Sequence, residues 1–421
     1  MMGAPRNNCF RSGAQIMSFE VARGVSAALA EPLNRQEDVP LAHAVGRILA
    51  ATIKAPGALP PFDQAAMDGY AFRLSGKKGV PLVLPISGRT CAGDKPDVLA
   101  PGTAHRVMTG AALPGGADTV AMQEHATRRG DIVQFGLDVE AGTHIRRVGE
   151  DVKQGTTILR PGRVIGWAEV ALLSALGIAT VSVARPLRIV VLATGSELRD
   201  AGESLSPGAI YDSNGPMLGA LLASPNAHVT SLSVRDDLAA IAQALESTAG
   251  AADVVIATAG MSIGEEDHVR NAVLRAGGGL DIVNVAMKPG KPLALGTLAG
   301  AYFIGLPGNP QAAAFGALAF ARPMMKALLG QVPANRITAE IEFKHARKPD
   351  RTELLPVRLN VEQGRLTAYR CGSEGSHRLM PMVFADAVAI VPGASTPVEV
   401  GTPLEVLPFD QCRFGERQNS I

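Results

Sequence analysis

Residues 253–310 decide the fold of this chain, and they read DVVIATAGMSIGEEDHVRNAVLRAGGGLDIVNVAMKPGKPLALGTLAGAYFIGLPGNP. Short apolar runs rich in β-branched residues predict strands, and each leads into or lies close to one of three turns: ATAGMSIGEEDH, KPGKP and GLPGNP. These turns fall where a strand ends and the next element begins. Open α/β sheets bind their ligands at that edge. We therefore expect a ligand site among these turns.

The first of these turns has the composition of an anion and metal site. Small residues between Ala257 and Gly264 let backbone amides approach an anion. The Glu-Glu-Asp run at 265–267 adds carboxylates, which are suitable ligands for a divalent metal ion. The turn therefore indicates an anionic ligand bound with the help of a metal.

Apolar strands alternate with amphipathic helices from Leu187 to about Leu329, which predicts a mostly parallel, doubly wound α/β sheet with right-handed crossovers. The predicted strands are RIVVLA, HVTSLSV, DVVIA, IVNVA and AYFIG, and the predicted helices cover 216–223, 238–248 and 267–276, with a long helix starting at Pro310. Asn309 is a favourable cap for that last helix, and Pro310 suits its first turn.

The rest of the chain divides into three further domains and a leader. Two helical stretches, 18–55 and 148–184, predict one discontinuous helical domain that is interrupted by a β-rich insertion at 56–147. The α/β domain covers 185–330, and a small C-terminal β domain covers 331–415. Residues 1–17 are expected to be a disordered leader. The predicted helices of the discontinuous domain are Phe19–Ala30 with Ser18 as cap, Leu41–Ala50, and Ile165–Leu176 with Gly177 as its stop.

The length and charge of the chain limit its class. A chain of 421 residues exceeds the size at which one hydrophobic core keeps growing, so we expect two to four domains. Lys and Arg number 40 and Asp and Glu number 39, so the net charge of +1 creates no global field to attract nucleic acid or an anionic membrane. Any anion site must therefore be local.

The cysteines and the hydropathy pattern indicate a cytoplasmic protein. The four cysteines lie far apart and form no CxxC pair, which argues against a disulfide framework or a zinc cluster. They are Cys9, Cys91, Cys371 and Cys412. The first residues lack the apolar core of a signal peptide, and no later stretch reaches about eighteen uninterrupted apolar residues. We expect neither a membrane nor a nucleic-acid partner.

Carboxylates follow three successive predicted strands. Glu197 follows the first, Asp236 and Asp237 follow the second, and Asp267 follows the third. Carboxylates from three such turns can bind Mg²⁺ that bridges phosphate oxygens. The alternative is that each acid caps the following helix or lies in its first turn, where the helix dipole favours it. Their occurrence together favours a metal site.

Other segments are ambiguous when taken alone. The KPGKP turn places Lys288 and Lys291 where they could clamp an oxyanion, although exposed loop lysines are common. The stretches around Asp68 and Thr109 read mainly as structural turns in a β domain. Neither a Walker-type GK[ST] spacing nor GxGxxG is present.

An ordered set of motifs resembles one family. The motifs are PPFDQAAMDGYA, MTGAALP, MQE, RRVGEDV, TGSEL, YDSNGPM, RDD, GMSIGEED, MKPGKP, GLPGNP and GSHRL. In order and spacing they resemble the molybdopterin molybdenumtransferase family, the MoeA and gephyrin E-domain group. The resemblance runs from about Ser18 to Phe414. It implies a four-domain elongated subunit and a homodimer in which the α/β domain of one subunit faces the β-rich insertion of the other.

The resemblance also implies a reaction and its residues. Members of the family take adenylylated molybdopterin and molybdate and release AMP, with Mg²⁺ as cofactor. Glu197, Asp236 and Asp267 would surround the pyrophosphate and its Mg²⁺, while Asp68, Thr109 and Asp151 would come from the other subunit. Lys288, Lys291, Arg351 and Ser376 would bind molybdate, and Ser262, Gly264, Pro307 and Pro310 would complete the ligand site. A molybdopterin adenylyltransferase and molybdoenzymes are expected as further partners.

The chain departs from the family pattern at several positions. Ala257-Thr258-Ala259-Gly260-Met261-Ser262 stands where the family usually reads T-S-G-G-V-S, Gln64-Ala65 replaces Asn-Ser, and Ser196 replaces Asp. If Ala259 has a positive φ, it costs about 1 kcal/mol relative to glycine. The altered loop from Ala257 to Ser262 supports one alternative, a paralogue that binds and delivers molybdopterin without catalysis. A third interpretation is a molybdopterin adenylyltransferase. Such an enzyme shares the α/β domain but usually lacks the other three domains.

Overall fold

The computed structural model of the chain describes residues 16–74, 81–95, 97–136, 139–248, 250–259, 268–346, 350–373, 375–394 and 397–409. It contains an α/β domain with a mixed sheet, a β-rich insertion and a C-terminal β domain, so the expected multidomain fold class is confirmed. Across these described ranges, no helix is both long enough and apolar enough to cross a lipid bilayer.

A seven-stranded central sheet forms the largest part of the molecule. Across the sheet the strands are Ile16–Met17, Gly279–Val285, Pro292–Leu298, Ala301–Leu306, Val254–Thr258, Leu187–Thr194 and Ala227–Val234. The last four of these are parallel to one another, whereas Pro292–Leu298 is antiparallel to both of its neighbours. The three inner parallel strands are almost entirely buried and rich in apolar residues, because both of their faces are covered, whereas the edge strand Ala227–Val234 alternates with exposed positions.

Helices cover both faces of the central sheet. On one face, Phe315 and Phe320 are fully buried against the sheet in the long helical segment, and Phe19 packs edge-to-face on Phe320 at 5.7 Å. This face carries Phe19–Ala28, Asn214–Leu222, Pro310–Gly316, the π-helical turn Ala317–Ala321 and Arg322–Leu328. The opposite face carries Leu238–Thr248 and His268–Arg275, with Ile241 and Val269 fully buried. This two-sided cover is the doubly wound arrangement that the alternating pattern predicts.

Two strands of the central sheet were not predicted. Pro292–Leu298 begins with proline and contains glycine, both of which weaken a strand pattern. Ile16–Met17, expected in the leader, pairs in parallel with Asn284 and Val285. The following helix, capped by Ser18 as expected, packs on the α/β domain. The N-terminal segment is therefore structurally part of that sheet.

The discontinuous domain is less helical than expected. Its one α-helix is Trp167–Ala175, which is followed by Gly177 at a φ of +74°. Two antiparallel strand pairs hold the rest together: Gln36–Pro40 with Thr180–Ala184, and Ile53–Lys54 with Thr157–Leu159. The predicted helix Leu41–Ala50 was wrong. Only Leu41–His43 form a 3-10 turn, because Ile48 and Leu49 make bridges with Val164 and Val183 instead.

The insertion contains a six-stranded sheet and a separate strand pair. In spatial order the sheet strands are Thr119–Met122, Gly69–Phe72, Ala104–Val107, Leu82–Thr90, Ile132–Phe135 and Ala126–Arg129. The strand pair is Gln64–Ala65 with Ile145–Arg146, and a 3-10 turn covers Gln123–His125. Phe72 stacks on Phe135 at 4.7 Å in the core of this domain.

The α/β domain contributes the first strand of the C-terminal sheet. In order its strands are Met287–Lys288, Thr352–Glu362, Arg365–Arg370, Ile337–Ile341, Pro403–Pro408 and Ala387–Val391, and the last also pairs with Thr352–Glu362, so the sheet curls on itself. A short helix, Met380–Val383, and a two-stranded ribbon in the α/β domain, Leu198–Arg199 with Ile210–Tyr211, complete the elements. Burial raises the pKa of the Cys371 thiol in this domain to about 11, which keeps it protonated.

Candidate active site

The parallel strands of the central sheet end together at one edge. Thr194 is in register with Val234, Ala193 with Thr258, and Thr258 with Leu306. The residues that follow these strands therefore share this edge. They include Glu197, Asp236, Ala259 and Pro307. The carboxylate of Glu197 packs against Gly195. A Cβ atom on residue 195 would lie only 2.8 Å from the Glu197 Oε2 atom.

The two neighbouring aspartates after the second strand differ in role. Oδ1 of Asp237 accepts hydrogen bonds from the backbone N–H groups of Ala239 and Ala240 at 3.0 and 2.9 Å. Asp237 therefore caps the helix Leu238–Thr248, as the capping alternative proposes. Asp236 is exposed at the same edge. Its carboxylate is accessible to a ligand or a metal ion.

Three predicted site residues lie outside the described residues: Ser262, Gly264 and Asp267. The proposed metal ligands that are described are therefore Glu197 and Asp236, both exposed on turns that follow adjacent strands. Within the described ranges, no group of three or more His, Cys, Asp or Glu side chains is placed to hold a metal ion. The two carboxylates supply the hard oxygen atoms that Mg²⁺ prefers.

Ala259 lies in the left-handed region of backbone conformation, with a φ of +71°. This conformation is normally reserved for glycine because a Cβ atom crowds the backbone there. Its Cβ lies against the GLPGNP turn, 3.2 Å from the position that a Cβ on Gly308 would occupy. The glycine at 308 therefore makes room for the methyl group of Ala259.

The YDSNGPM segment supports the same turn. Asn214 Nδ2 donates to the Gly308 carbonyl oxygen at 2.7 Å. Oδ1 of Asp212 accepts from the N–H groups of Asn214 and Gly215 at 2.9 and 3.1 Å, which fixes the start of the helix Asn214–Leu222. The motif belongs to the family pattern, but no role was predicted for its residues from the sequence. The Asp-x-Asn-Gly pattern before an apolar run was the available signal.

The cationic residues come from the junction between the α/β and C-terminal domains. Met287 and Lys288 pair in parallel with Thr352 and Glu353, which brings Lys288 close to Arg351. Lys288 is partly buried, and Arg351 is exposed. The structure therefore brings together two residues that are more than sixty positions apart in sequence.

The remaining predicted anion ligands surround the start of the helix Pro310–Gly316. The Gln311 backbone N–H donates to the Ser376 carbonyl oxygen at 3.0 Å, and its buried side chain donates to the Arg378 carbonyl at 2.7 Å. The KPGKP turn reaches the same helix, because a Cβ on Gly290 would lie 3.8 Å from the Ala312 Cβ. Lys291 is exposed on that turn. The segments KPGKP, GLPGNP and GSHRL thus meet in one place.

A buried histidine and glutamate lie directly behind this cationic region, and sequence reasoning missed both. His345 Nε2 and Glu353 Oε2 are 2.8 Å apart, and each residue is at least nine-tenths buried. Arg370 Nη1 lies 3.4 Å from Nδ1 of the same histidine. Because Glu353 is the strand partner of Lys288, the pair anchors the start of the strand Thr352–Glu362, which directly follows Arg351. Although His345 and Glu353 are only eight positions apart, no motif spacing marks them, and the pairing depends on the fold of the C-terminal domain.

A second group of predicted residues lies on the insertion. Oδ1 of Asp68 accepts hydrogen bonds from the backbone N–H and the hydroxyl of Thr109, both at 2.7 Å. These two hydrogen bonds hold the pKa of the Asp68 carboxyl below its ordinary value, so it is ionised at neutral pH. The strand after it approaches Ala121 so closely that a Cβ on Gly69 would lie 2.0 Å from the Ala121 carbonyl oxygen.

Arg106 organises the surroundings of Asp68. Its guanidinium donates to the Gln123 side-chain oxygen and to the Gly69 carbonyl oxygen, the latter at 3.4 Å, and lies 5.0 Å from the Tyr70 ring centroid. Gln123 in turn donates from Nε2 to Glu124 at 3.2 Å and from its backbone N–H to the Asp68 carbonyl at 3.0 Å. Sequence reasoning did not identify Arg106 or Gln123.

Asp63 and Asp151 lie where the insertion joins the discontinuous domain. The Val148 N–H and the Arg147 guanidinium bind Asp63 at 2.8 and 2.7 Å, and they lower the pKa of its carboxyl despite partial burial. Asp151 is exposed, and its backbone N–H donates to the Leu59 carbonyl at 3.1 Å. Asp63 thus has a structural role, whereas Asp151 presents its carboxylate to solvent.

Comparison with known proteins gives one consistent result. Three family models match consecutive parts of the chain: "MoeA N-terminal region (domain I and II)" at 17–177, "Probable molybdopterin binding domain" at 190–327, and "MoeA C-terminal region (domain IV)" at 338–409. Molybdopterin molybdenumtransferase 2 of Mycobacterium tuberculosis is 36% identical over 386 residues, which cover 87% of this chain and 94% of that protein. The chain belongs to the molybdopterin molybdenumtransferase family.

Other members of the molybdopterin molybdenumtransferase family agree in length and fold. The Haemophilus influenzae molybdopterin molybdenumtransferase is 35% identical over 388 residues, which cover 90% of this chain and 94% of that protein. The crystal structure of the molybdopterin biosynthesis MoeA protein from Pyrococcus horikoshii superposes with a TM-score of 0.80 at 26% identity, covering 94% of this chain and all of that one. The similarity therefore extends over all the domains described above.

Proposed function

We propose that this protein is a molybdopterin molybdenumtransferase that inserts molybdate into adenylylated molybdopterin and releases AMP. The observation that carries the proposal is the convergence at the carboxyl edge of the central sheet. Two exposed carboxylates, Glu197 and Asp236, lie on this edge, and the cationic turn with Lys288 and Lys291 lies beside the helix that begins at Pro310. An edge with both charges suits a substrate that has a pyrophosphate and takes up an oxyanion.

The cationic side suits molybdate, which is a tetrahedral oxyanion substrate. Lys288, Lys291 and Arg351 supply positive charge, and Ser376 supplies a hydroxyl group next to the same helix. Charge-assisted hydrogen bonds from such groups hold an oxyanion in place while its oxygen atoms are exchanged. Pro307 and Pro310 stiffen the turn between strand and helix, which keeps these groups at fixed distances.

The carboxylate side suits a magnesium ion. Glu197 and Asp236 would hold it, with Asp267 as the proposed third ligand. When bound, Mg²⁺ neutralises the charge on the pyrophosphate and makes the adenylate a better leaving group. The residues of the protein position the pyrophosphate at this edge and exclude competing orientations.

We further propose a homodimer with a shared active site. Asp68 and Thr109 on the insertion, and Asp151 just beyond it in the discontinuous domain, are exposed or partly exposed. The described hydrogen bonds of Asp68 and Thr109 stay within the insertion. The insertion of a partner subunit would bring the ionised Asp68 to the carboxylate edge of this one. Each of the two sites would then use residues from both chains.

The test is AMP release. Purified protein, adenylylated molybdopterin, molybdate and Mg²⁺ are mixed, and AMP is followed by chromatography. We expect molybdate-dependent release in the wild type and a loss of at least about 100-fold in Lys288→Ala, since the lost cation no longer holds the oxyanion. Lys153→Ala, an exposed lysine of the discontinuous domain, is the control. Absence of AMP release from the wild type would contradict the proposal.

A second candidate function is delivery of molybdopterin to a molybdoenzyme without catalysis. The observation that favours it is the left-handed conformation of Ala259 beside the GLPGNP turn. Tight molybdopterin binding without AMP release, unaltered by Asp236→Ala, would support delivery. Consumption of ATP with metal-free molybdopterin would instead support an adenylyltransferase. We place the protein in the cytoplasm, with a molybdopterin adenylyltransferase before it and molybdoenzymes after it.

A further inference from the structure

A cavity of about 400 Å³ lies where the discontinuous domain meets the central sheet. It is at the other end of the strands from the candidate active site, since Leu187 and Asp253 stand at or just before the first residues of their strands. Both connections between the two domains line it, at 32–36 and 184–188, together with the turn 328–330. We call it the interdomain cavity.

The interdomain cavity has an excess of positive charge. Three arginines line it, Arg35, Arg185 and Arg188, but among the described lining residues Asp253 is the sole acidic one. The Asp253 carboxylate already binds Arg35 at 2.6 Å and Arg188 at 2.9 Å. Arg185 is exposed and makes no ion pair with a described residue. One carboxylate against three guanidinium groups leaves an excess of two positive charges in the cavity, and Arg185 is the arginine without an ion-pair partner among the described residues.

Just over half of the cavity wall is apolar. The lining residues with apolar side chains include Pro32, Leu33, Leu49, Pro161, Leu328 and Leu329. Cavities of this size with apolar walls and a few convergent polar groups are typical of small-molecule sites. Guanidinium groups bind carboxylate and phosphate groups through paired hydrogen bonds. The combination fits a molecule with an apolar body and one anionic end.

We propose that the interdomain cavity binds a small organic anion, separate from the substrates of the candidate active site. Its head group, a carboxylate or a phosphate, binds Arg185 and the remaining N–H groups of Arg35 and Arg188. Its apolar body packs on Leu33 and Leu329. Because the ligand contacts both interdomain connections, its binding restricts the movement of the two domains relative to each other.

The probe for this site is 8-anilinonaphthalene-1-sulfonate, which has an aromatic body and one sulfonate and becomes fluorescent in apolar surroundings. We expect saturable binding by the full-length protein and affinity reduced about tenfold in Arg185→Gln, since one charge-assisted contact is lost. Arg129→Gln, which removes an exposed arginine of the insertion, is the matched control and leaves the affinity unchanged. Equal affinities in the two variants would overturn the proposal, as would absence of saturable binding by the wild type.

A second variant tests the cavity itself without changing its charge. Ala50 lines the cavity, and Ala50→Phe fills part of it, so probe binding should be lost while the circular dichroism spectrum is retained. Competition then identifies the head group: benzoate displaces the probe if carboxylates are preferred, and phenyl phosphate if phosphates are preferred. Failure of both compounds to displace the probe contradicts the proposal, as does full probe binding by Ala50→Phe.

Discussion

At the scale of single residues, Ala259 is one of six described non-glycine residues with a positive φ, and it is the one that lies beside the GLPGNP turn of the candidate active site. A non-glycine residue at a φ of +71° stores strain, which costs about 1 kcal/mol or more. The methyl group also fills the space that Gly308 leaves open. The strain therefore lies at the edge where the substrate of a transferase would bind.

Replacing Ala259 by glycine is expected to be neutral or to stabilise the folded state by up to about 1 kcal/mol, because the relief of strain offsets the greater entropy of the unfolded chain. The matched control is Ala257→Gly in the preceding strand, which should destabilise by about 1 kcal/mol. Chemical denaturation followed by circular dichroism compares the two. Equal destabilisation of both variants would mean that Ala259 is unstrained.

Arg106 offers a second prediction at this scale. Arg106→Gln removes the contacts to Gly69 and Gln123 and the stacking on Tyr70, so the loop that carries Asp68 loses its support. We expect kcat/KM for AMP release to fall about tenfold, with Arg106→Lys recovering part of it because the charge remains. Arg129→Gln again serves as the control. Wild-type kinetics in Arg106→Gln would show that this support is not needed.

At the scale of elements, the alternating pattern from Leu187 onward predicted the parallel strands well, because their near-continuous β-branched runs are distinctive. The helix expected at Leu41–Ala50 failed because its apolar spacing is satisfied by bridges from Ile48 and Leu49 to distant strands. Pro292–Leu298 was missed because its proline and glycine resemble a turn. Long-range pairing decides such segments, and local sequence does not contain it.

The candidate site shows the same limit. Residues at strand ends, such as Glu197 and Asp236, could be placed from the sequence because the topology fixes where strands end. Residues that act through a second side chain, such as Arg106 and His345, could not, because their partners are brought to them by folding. Only the family resemblance assigned Asp68 and Thr109 to the same site as Glu197 and Asp236. In the structure these two groups of residues lie on separate sheets.

Asp253 links two strands and an interdomain connection, and it gives a pH prediction. Burial opposes ionisation of its carboxyl, but hydrogen bonds from Arg188 and Arg35 outweigh this and hold its pKa below the ordinary value. The ionised form therefore stabilises the folded protein above that ordinary pKa, and the contribution is lost as the pH falls through the lowered pKa.

We accordingly expect Asp253→Asn to reduce the free energy of unfolding by about 2 to 4 kcal/mol at pH 7, with the difference from wild type shrinking below pH of about 4. Urea denaturation at several pH values measures it. Asp131→Asn, in an exposed turn of the insertion, is the control and should change little. A difference that stays constant down to the acid transition would contradict the ionised state of Asp253.

At the scale of the whole molecule, the shared site can be tested with mixed dimers. A verified heterodimer of Asp68→Ala and Asp236→Ala subunits would contain one intact site and one doubly altered site, so about half of the wild-type activity should return. The control is a heterodimer of the wild type with a subunit carrying both changes. There each shared site loses one residue, and activity should stay low. Half activity in the control would place each site within a single subunit.

The amino-terminal segment has a consequence for the order in which the protein is made. Ile16 and Met17 pair with Asn284 and Val285, Phe19 packs on Phe320, and the Ser26 hydroxyl donates to the Phe320 carbonyl at 3.0 Å. On the ribosome, the first helix therefore emerges long before any of its partners has been translated. Its apolar face has no partner in the chain until residues 284–320 have been synthesised. We therefore expect the amino-terminal strand to join the central sheet late in co-translational folding.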